Sequence, residues 1–270
     1  MMKSLDIAPI FPVIGGLPLK DAILKTPELK KFLLKDNPPK IDLENRDALI
    51  LYNMTISREV LGLELQLHGF SGLIPTPMLR YNFLKHLHPN NLSILEIGTG
   101  YTAIISLIAA KCFRANCVAT EINPASIESA RHHVAINNLQ DQVTILPATE
   151  GKLIEGVVPE GQLFDLIITN PPYYNEILSP RVIWAGDPKE LLNQQDSQEN
   201  FCVQFFQEAP RFLKPSGSAA ALISGKQIKI LEDIFTSLEK AGTRKEVFGL
   251  KAGTRVRWAI RIYPSPTGRT

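Results

Sequence analysis

Ser93-Ile94-Leu95-Glu96-Ile97-Gly98-Thr99-Gly100 decides the fold class of this chain. An apolar run of strand length stops at two closely spaced glycines, and a helical pattern follows over residues 103–112. Glycine after a buried strand permits a tight turn and lets a ligand approach the backbone closely. A third glycine would complete a dinucleotide fingerprint, but Ala103 stands three residues after Gly100.

The same strand-to-helix step recurs toward the C-terminus. Predicted strands over 116–121, 142–147, 164–169 and 218–224 alternate with helices over 124–137, 201–212 and 227–241. This alternation predicts a mostly parallel sheet covered on both faces. Two final apolar runs, 244–250 and 255–263, are joined by a connection too short for a parallel crossover, so they must form an antiparallel hairpin. The expected architecture is α/β, Rossmann-like, with a seven-stranded sheet and an antiparallel C-terminal hairpin, the layout of class I methyltransferases. Residues 1–72 read differently, with helical periodicity over 26–34 and 45–61 and a short strand over 61–67. They are expected to form a small helical module, and residues 73–270 the main domain.

Composition sets outer limits. The 270 residues are 44% hydrophobic and 21% charged, as in ordinary globular domains. No apolar run is long enough for a membrane span, and the N-terminus lacks a secretion-signal pattern. Three cysteines without Cys-x-x-Cys spacing read as reduced thiols in a cytoplasmic protein. Five histidines show no metal spacing, so no metal is expected and His132-His133 read as surface or helix-packing residues. Charge is unevenly placed. Residues 241–270 carry a net +6, against −4 for the remainder, which reads either as a phosphate-binding surface or as a solvated edge.

A nucleotide site is expected around Gly98, Thr99 and Gly100. Glu121 ends the second strand, where a carboxylate can accept hydrogen bonds from ribose hydroxyls. That arrangement serves NAD and S-adenosyl-L-methionine alike. Glu96 suits the latter better, because an acid there can face the cofactor's amino group. The adenine ring is expected near residues 147–151.

Asn170-Pro171-Pro172-Tyr173 ends the fourth strand of the alternating series. Asn-Pro is a common turn signal, but here it follows a glycine loop and Glu121. An aryl or amide NH2 is a poor nucleophile because its lone pair is conjugated. The Asn170 side-chain oxygen and the Pro171 carbonyl can each hold one N–H. The prolines fix that geometry in advance, and Tyr173 can stack on a base.

These motifs together resemble the methyltransferase-like protein 16 / large-subunit ribosomal RNA adenine-N6 methyltransferase F family over roughly residues 27–263. The resemblance rests on Leu73-Ile74-Pro75-Thr76-Pro77-Met78-Leu79-Arg80-Tyr81-Asn82-Phe83, on Leu95 to Gly100, on Thr120-Glu121, on Asn170 to Tyr173 and on Gly253-Thr254-Arg255-Val256-Arg257-Trp258. It implies an S-adenosyl-L-methionine-dependent N6-methyltransferase acting on adenine in structured RNA. It implies that Arg80 meets the cofactor carboxylate, that Gly98, Glu121 and Asn170 line its site, and that Tyr173, Tyr174, Arg255 and Arg257 serve the substrate. It further implies that residues 1–72 help form an RNA groove, with Lys25, Lys30, Lys31, Lys35 and Lys40 available there. The segment 175–200 is shorter than in the family and lies where acceptor choice is expected to reside. A glutamine side-chain amide is the alternative acceptor, since glutamine methyltransferases use the same Asn-Pro-Pro-Tyr. DNA adenine methylation, a non-enzymatic scaffold and a nicotinamide oxidoreductase rank below both.

Overall fold

A computed structural model describes residues 8–67, 74–149, 151–171, 198–224 and 243–263. The expected helix over 227–241 lies outside the described residues, as do Pro172, Tyr173 and Tyr174.

Five parallel strands form one side of an eight-stranded sheet: β4 (Ser93–Ile97), β5 (Asn116–Glu121), β6 (Val143–Pro147), β7 (Phe164–Thr169) and β8 (Leu213–Ile223). The hairpin β9 (Arg244–Ala252) and β10 (Arg255–Tyr263) continues the sheet antiparallel to β8. The eighth strand, β1 (Ile10–Pro12), corrects the expected count of seven. It pairs in parallel with β9 at the sheet edge, giving the order β1-β9-β10-β8-β7-β4-β5-β6. Three residues ending in proline carry no periodicity to read, and their partner lies at the other end of the chain.

Alternation along β4 sends Ile94 into one core layer and Leu95 and Ile97 into the other. The first layer also holds α3 (Pro77–Leu87), α4 (Ile104–Phe113) and α5 (Pro124–Ile136). The second holds α6 (Gln198–Glu208), whose Phe205 and Phe206 are fully buried. Sheet faces covered on both sides explain why β7 and the end of β8, Ala219–Ile223, read as nearly unbroken apolar runs.

The N-terminal module is only partly helical. Between α1 (Leu19–Lys25) and α2 (Arg46–Leu61) lie a short 3-10 helix, Pro27–Phe32, and a hairpin of β2 (Leu33–Asp36) and β3 (Pro39–Ile41). The helix expected over 26–34 is thus cut short. Thr26, which precedes the 3-10 helix, makes no capping bond; its hydroxyl pairs with the Thr55 hydroxyl at 2.8 Å. Asn45 does cap α2, accepting the N–H groups of Asp47 and Ala48. Ala22, Ile23, Leu29 and Ile41 form a small separate core, against which Leu51 and Tyr52 of α2 pack. Ile50, Ile56 and Leu61 of the same helix join the main core, so α2 is shared by both.

Gly62 ends α2 in the left-handed conformation, and residues 63–67 belong to no sheet. Their period-2 burial is as the sequence suggested: Leu63, Leu65 and Leu67 are buried and Glu64 and Gln66 exposed. Their backbone, however, bonds to side chains of α5 and of its C-cap residue Asn137 rather than to a strand.

Candidate active site

β4 and β7 are adjacent, with Ile97 paired to Thr169, so the residues that follow them, Gly98 and Asn170, leave the sheet side by side. The Thr169 hydroxyl donates to the Ile97 carbonyl at 3.0 Å and locks the two strand ends together. The chain crosses to β5 on one side of β4 and has β7 on the other, which makes this rim a topological switch point where ligands bind in open α/β sheets.

The loop after β4 is held from below and from one side. Gly98 and Gly100 have φ of 70° and 68°, the left-handed region that suits glycine. The N–H groups of Gly98 and Thr99 both donate to the Thr120 carbonyl, at 3.0 and 2.9 Å. The Gly100 N–H donates to Glu121 Oε2 at 2.8 Å. No heavy atom lies within 4 Å of where a Cβ would stand on either glycine, so the space above the loop is open to a ligand.

Glu121 does double duty at the rim. Its other oxygen, Oε1, accepts the N–H groups of Ile122 and Asn123 at 2.8 and 3.0 Å. Three backbone donors take three of the carboxylate's four or so lone-pair sites, and the one left, on Oε2, can accept a ribose hydroxyl. Asn123 then caps α5, accepting from Ala125 and Ser126. Ile122, which the sequence reading passed over, is 57% exposed beside this carboxylate. An exposed isoleucine directly after a strand-terminal acid offers a flat apolar surface for a base. The signal was in the sequence, as an apolar residue placed just beyond the strand end.

Glu96 shares a face with Ile94 and points toward α4. Its carboxyl is 2% exposed. A single oxygen, Oε2, accepts the Thr99 hydroxyl at 2.9 Å and the Ser106 N–H at 3.0 Å, and the Ser106 hydroxyl as well. Burial pushes its pKa up to about 7, opposed by the Ser106 and Thr99 hydrogen bonds and reinforced by nearby Glu121. Glu96 thus shapes the loop from beneath.

Arg80 lies on α3, which packs against α4, and is buried to 7% exposure. It donates to the Thr76 hydroxyl in the lead-in to its own helix. Asn170 is half-buried and Pro171 buried at the rim. Arg255 and Arg257 reach the same rim from the hairpin: Trp258 pairs with Ile223, the last residue of β8, and the arginines lie beyond it. Arg255 is exposed and Arg257 half-buried. Lys251, paired with Val256, lies at this rim too, whereas Arg244 and Arg261 lie at the opposite end. There Arg244 pairs with Glu246 at 3.3 Å, and Arg261 donates to the Ser218 hydroxyl at 2.9 Å. The Tyr263 ring lies 4.0 Å from the Arg244 guanidinium and 4.7 Å from that of Arg261. That end reads as a solvated, internally paired edge.

Among the described residues no cluster of three or more His, Cys, Asp or Glu is placed to hold a metal, and no helix is long and apolar enough to cross a membrane.

A parallel sheet with an antiparallel terminal hairpin, an open glycine loop, a strand-end carboxylate and an Asn-Pro turn at the switch point define a class I methyltransferase. The model of a family described as RNA methyltransferase matches residues 18–229, and the chain belongs to that family. It is 33% identical over 259 residues to a protein of Methanocaldococcus jannaschii that carries a methyltransferase name, covering 91% of this chain and 98% of that one. It is 24% identical to ribosomal RNA large subunit methyltransferase F of Pseudomonas fluorescens, over 82% of this chain and 75% of that one. It is 27% identical to release factor glutamine methyltransferase of Clostridium acetobutylicum, over 81% and 78%. The catalytic domain of human METTL16, solved with a hairpin of the MAT2A 3′UTR, shares the fold at a TM-score of 0.77 and 19% identity, covering 92% of this chain and 91% of that one. Another METTL16 structure holds S-adenosylhomocysteine at a TM-score of 0.74 and 19% identity over 92% and 94%. The cofactor is S-adenosyl-L-methionine, and the open glycine loop, the Glu121 carboxylate and the exposed Ile122 fit it.

Proposed function

We propose that this RNA methyltransferase transfers a methyl group to the exocyclic N6 amine of an adenine in a structured RNA, ribosomal or another non-coding RNA. The observation that carries the reading is the pairing of Ile97 with Thr169, which starts Asn170-Pro171 beside the glycine loop.

S-adenosyl-L-methionine supplies an activated methyl group on a sulfonium. Gly98, Thr99, Gly100 and Glu121 would hold its nucleoside portion, with Ile122 against the base, and Arg80 would meet its carboxylate. Glu96 supports the loop on which that contact depends. The Asn170 side-chain oxygen and the Pro171 carbonyl accept the two N–H bonds of the target amine and aim its nitrogen. Their fixed placement lowers the entropic cost of attack. No strong general base is needed, because the amine nitrogen becomes acidic once methylated. Pro172 fixes Pro171 in an extended conformation, and Tyr173 and Tyr174 stack on the base and its neighbours. Arg255 and Arg257 at the rim neutralise phosphate. The module over residues 1–72 extends this surface, with Lys30, Lys31, Lys35 and Lys40 all exposed. A cytoplasmic location belongs to the same reading and rests on three free thiols.

The similarity to a glutamine methyltransferase supports a second acceptor, a protein side-chain amide, which presents the same planar NH2. Tritium transfer from labelled S-adenosyl-L-methionine to total RNA and, separately, to total protein decides between them, with Asn170→Ala as control. Label in RNA that digests to N6-methyladenosine and vanishes in the variant is the expected result. Label confined to protein would overturn it in favour of glutamine.

A further inference from the structure

Residues 62–67 are fastened to α5 by two side-chain clasps one helical turn apart. Asn137 grips the Glu64 peptide from both sides: its Oδ1 accepts the Glu64 N–H and its Nδ2 donates to the Glu64 carbonyl, both at 2.8 Å. That is the bond pair a neighbouring strand would make. His133 forms the second clasp. Its Nδ1 lies 2.8 Å from the Ser129 carbonyl, which can only accept, so Nδ1 carries the proton. Its Nε2 receives the Gln66 N–H at 3.1 Å and must therefore be bare. The surroundings thus specify one neutral tautomer in a side chain that is 1% exposed. A second proton would set N–H against N–H, with no room to reach water.

Both structures that His133 touches lead to the cofactor site. Tyr101, edge-on to the imidazole at 5.8 Å between centroids, directly follows Gly100. Leu63, Leu65 and Leu67 of the segment share one core with Ile74 and with Met78 and Leu79 of α3, next to Arg80. We propose that neutral His133 is a positioning residue for the cofactor site, holding the glycine-loop flank and the Arg80 lead-in in register, and that its protonation loosens both and weakens cofactor binding. The proposal rests on the cofactor site described above. Asn137 makes the equivalent clasp with no group that titrates. The titratable groups against the imidazole are His132 on the same helix, at 5.9 Å between centroids, and Tyr101. His132 bonds the Gln66 side chain at 2.8 Å, so it touches the same segment. Burial first, and then His132, hold His133 below the ordinary histidine range.

Affinity for S-adenosylhomocysteine, measured calorimetrically from about pH 8 down to the lowest pH at which the protein stays folded, tests this on the intact protein. Wild type is expected to weaken by about fivefold or more through the His133 titration, beyond any change seen in His133→Gln. The glutamine oxygen can still accept the Gln66 N–H, so that variant should keep its affinity at the higher pH. Equal acid weakening in both proteins would overturn the proposal. A measurement on wild type alone guards against a misfolded variant. By linkage, bound S-adenosylhomocysteine must lower the His133 titration midpoint, read from its imidazole nitrogen shifts, by the same factor. A midpoint unmoved by ligand overturns the proposal. Absence of S-adenosylhomocysteine binding at every pH would overturn the cofactor site itself and this inference with it.

Discussion

Glu96 of β4 caps the helix that begins on the far side of the glycine loop, through Ser106. The residue in the capping position, Ala103, has φ 50° and no side chain able to accept an N–H. The carboxylate reaches across from the strand and takes the Ser106 N–H in its place. A capping bond satisfies one of the open donors at a helix start, but here the acceptor is a buried acid, and the desolvation is costly.

That cost has a pH signature. The folded-state pKa of Glu96, about 7, lies above its ordinary value of 4.5. Its contribution to stability is therefore fully present below about pH 4.5 and is lost as pH rises through about 7, a difference of roughly 3 kcal/mol. Glu96→Gln keeps an acceptor for Ser106 and removes the titration. The variant should be more stable than wild type at about pH 8, by about 1–3 kcal/mol in urea unfolding. A wild-type slope surviving unchanged in the variant would refute the assignment.

Glu121→Ala removes the acceptor for the N–H groups of Gly100, Ile122 and Asn123 at once. Losing these charge-assisted bonds should weaken S-adenosyl-L-methionine binding by at least about tenfold and destabilise the fold by about 1–3 kcal/mol. Calorimetric titration and a thermal melt read the two effects separately. Unchanged affinity would remove Glu121 from the cofactor site.

Asn170→Ala should separate chemistry from binding. The amide is expected to act on the target amine, so turnover should fall by about 10²-fold or more while cofactor affinity shifts only a few-fold. Single-turnover methyl transfer and cofactor Kd check this. A loss confined to cofactor affinity would make Asn170 a cofactor ligand alone.

Asn82→Ala tests how α3 is held. The buried amide accepts the Ile14 N–H at 3.3 Å and donates to the carbonyls of Ile14 and Met78 at 2.9 and 2.8 Å. Its removal leaves those groups without this partner and should cost about 1–3 kcal/mol. Hydrogen exchange should rise over residues 10–14, where β1 loses its anchor. Exchange no faster than in wild type would show that β1 is held by β9 alone.

Much of this was legible in the sequence, for identifiable reasons. β4, β5 and β7 have the bounds expected of them, because each is a short apolar run stopped by a polar or glycine-containing turn. The hairpin was legible because its connection is too short to be anything else. The features that were missed depend on partners distant in sequence. Residues 61–67 alternate like a strand, and their burial does alternate, but what pairs with their backbone is a histidine and an asparagine on α5. His133 and Asn137, four residues apart on a helix, form a polar pair on its buried face. That spacing was visible, but only the segment laid across it gives it meaning. Glu96 was read toward the cofactor's amine; its further bond to the helix start, through Ser106, was not read. Pro172, Tyr173 and Tyr174 remain where the sequence reading left them.

The first strand and the last hairpin impose an order of events on biosynthesis. Ile10 pairs with Gly249, almost a full chain length away. As the polypeptide emerges from the ribosome, β1 has no strand to join until β9 is released, and loop closure over so long a span is slow. The parallel centre of the sheet can assemble meanwhile, but the bare edge of β9 stays open to pairing with other chains until β1 docks. A chain that stops before β9 would thus leave β1 without its partner strand.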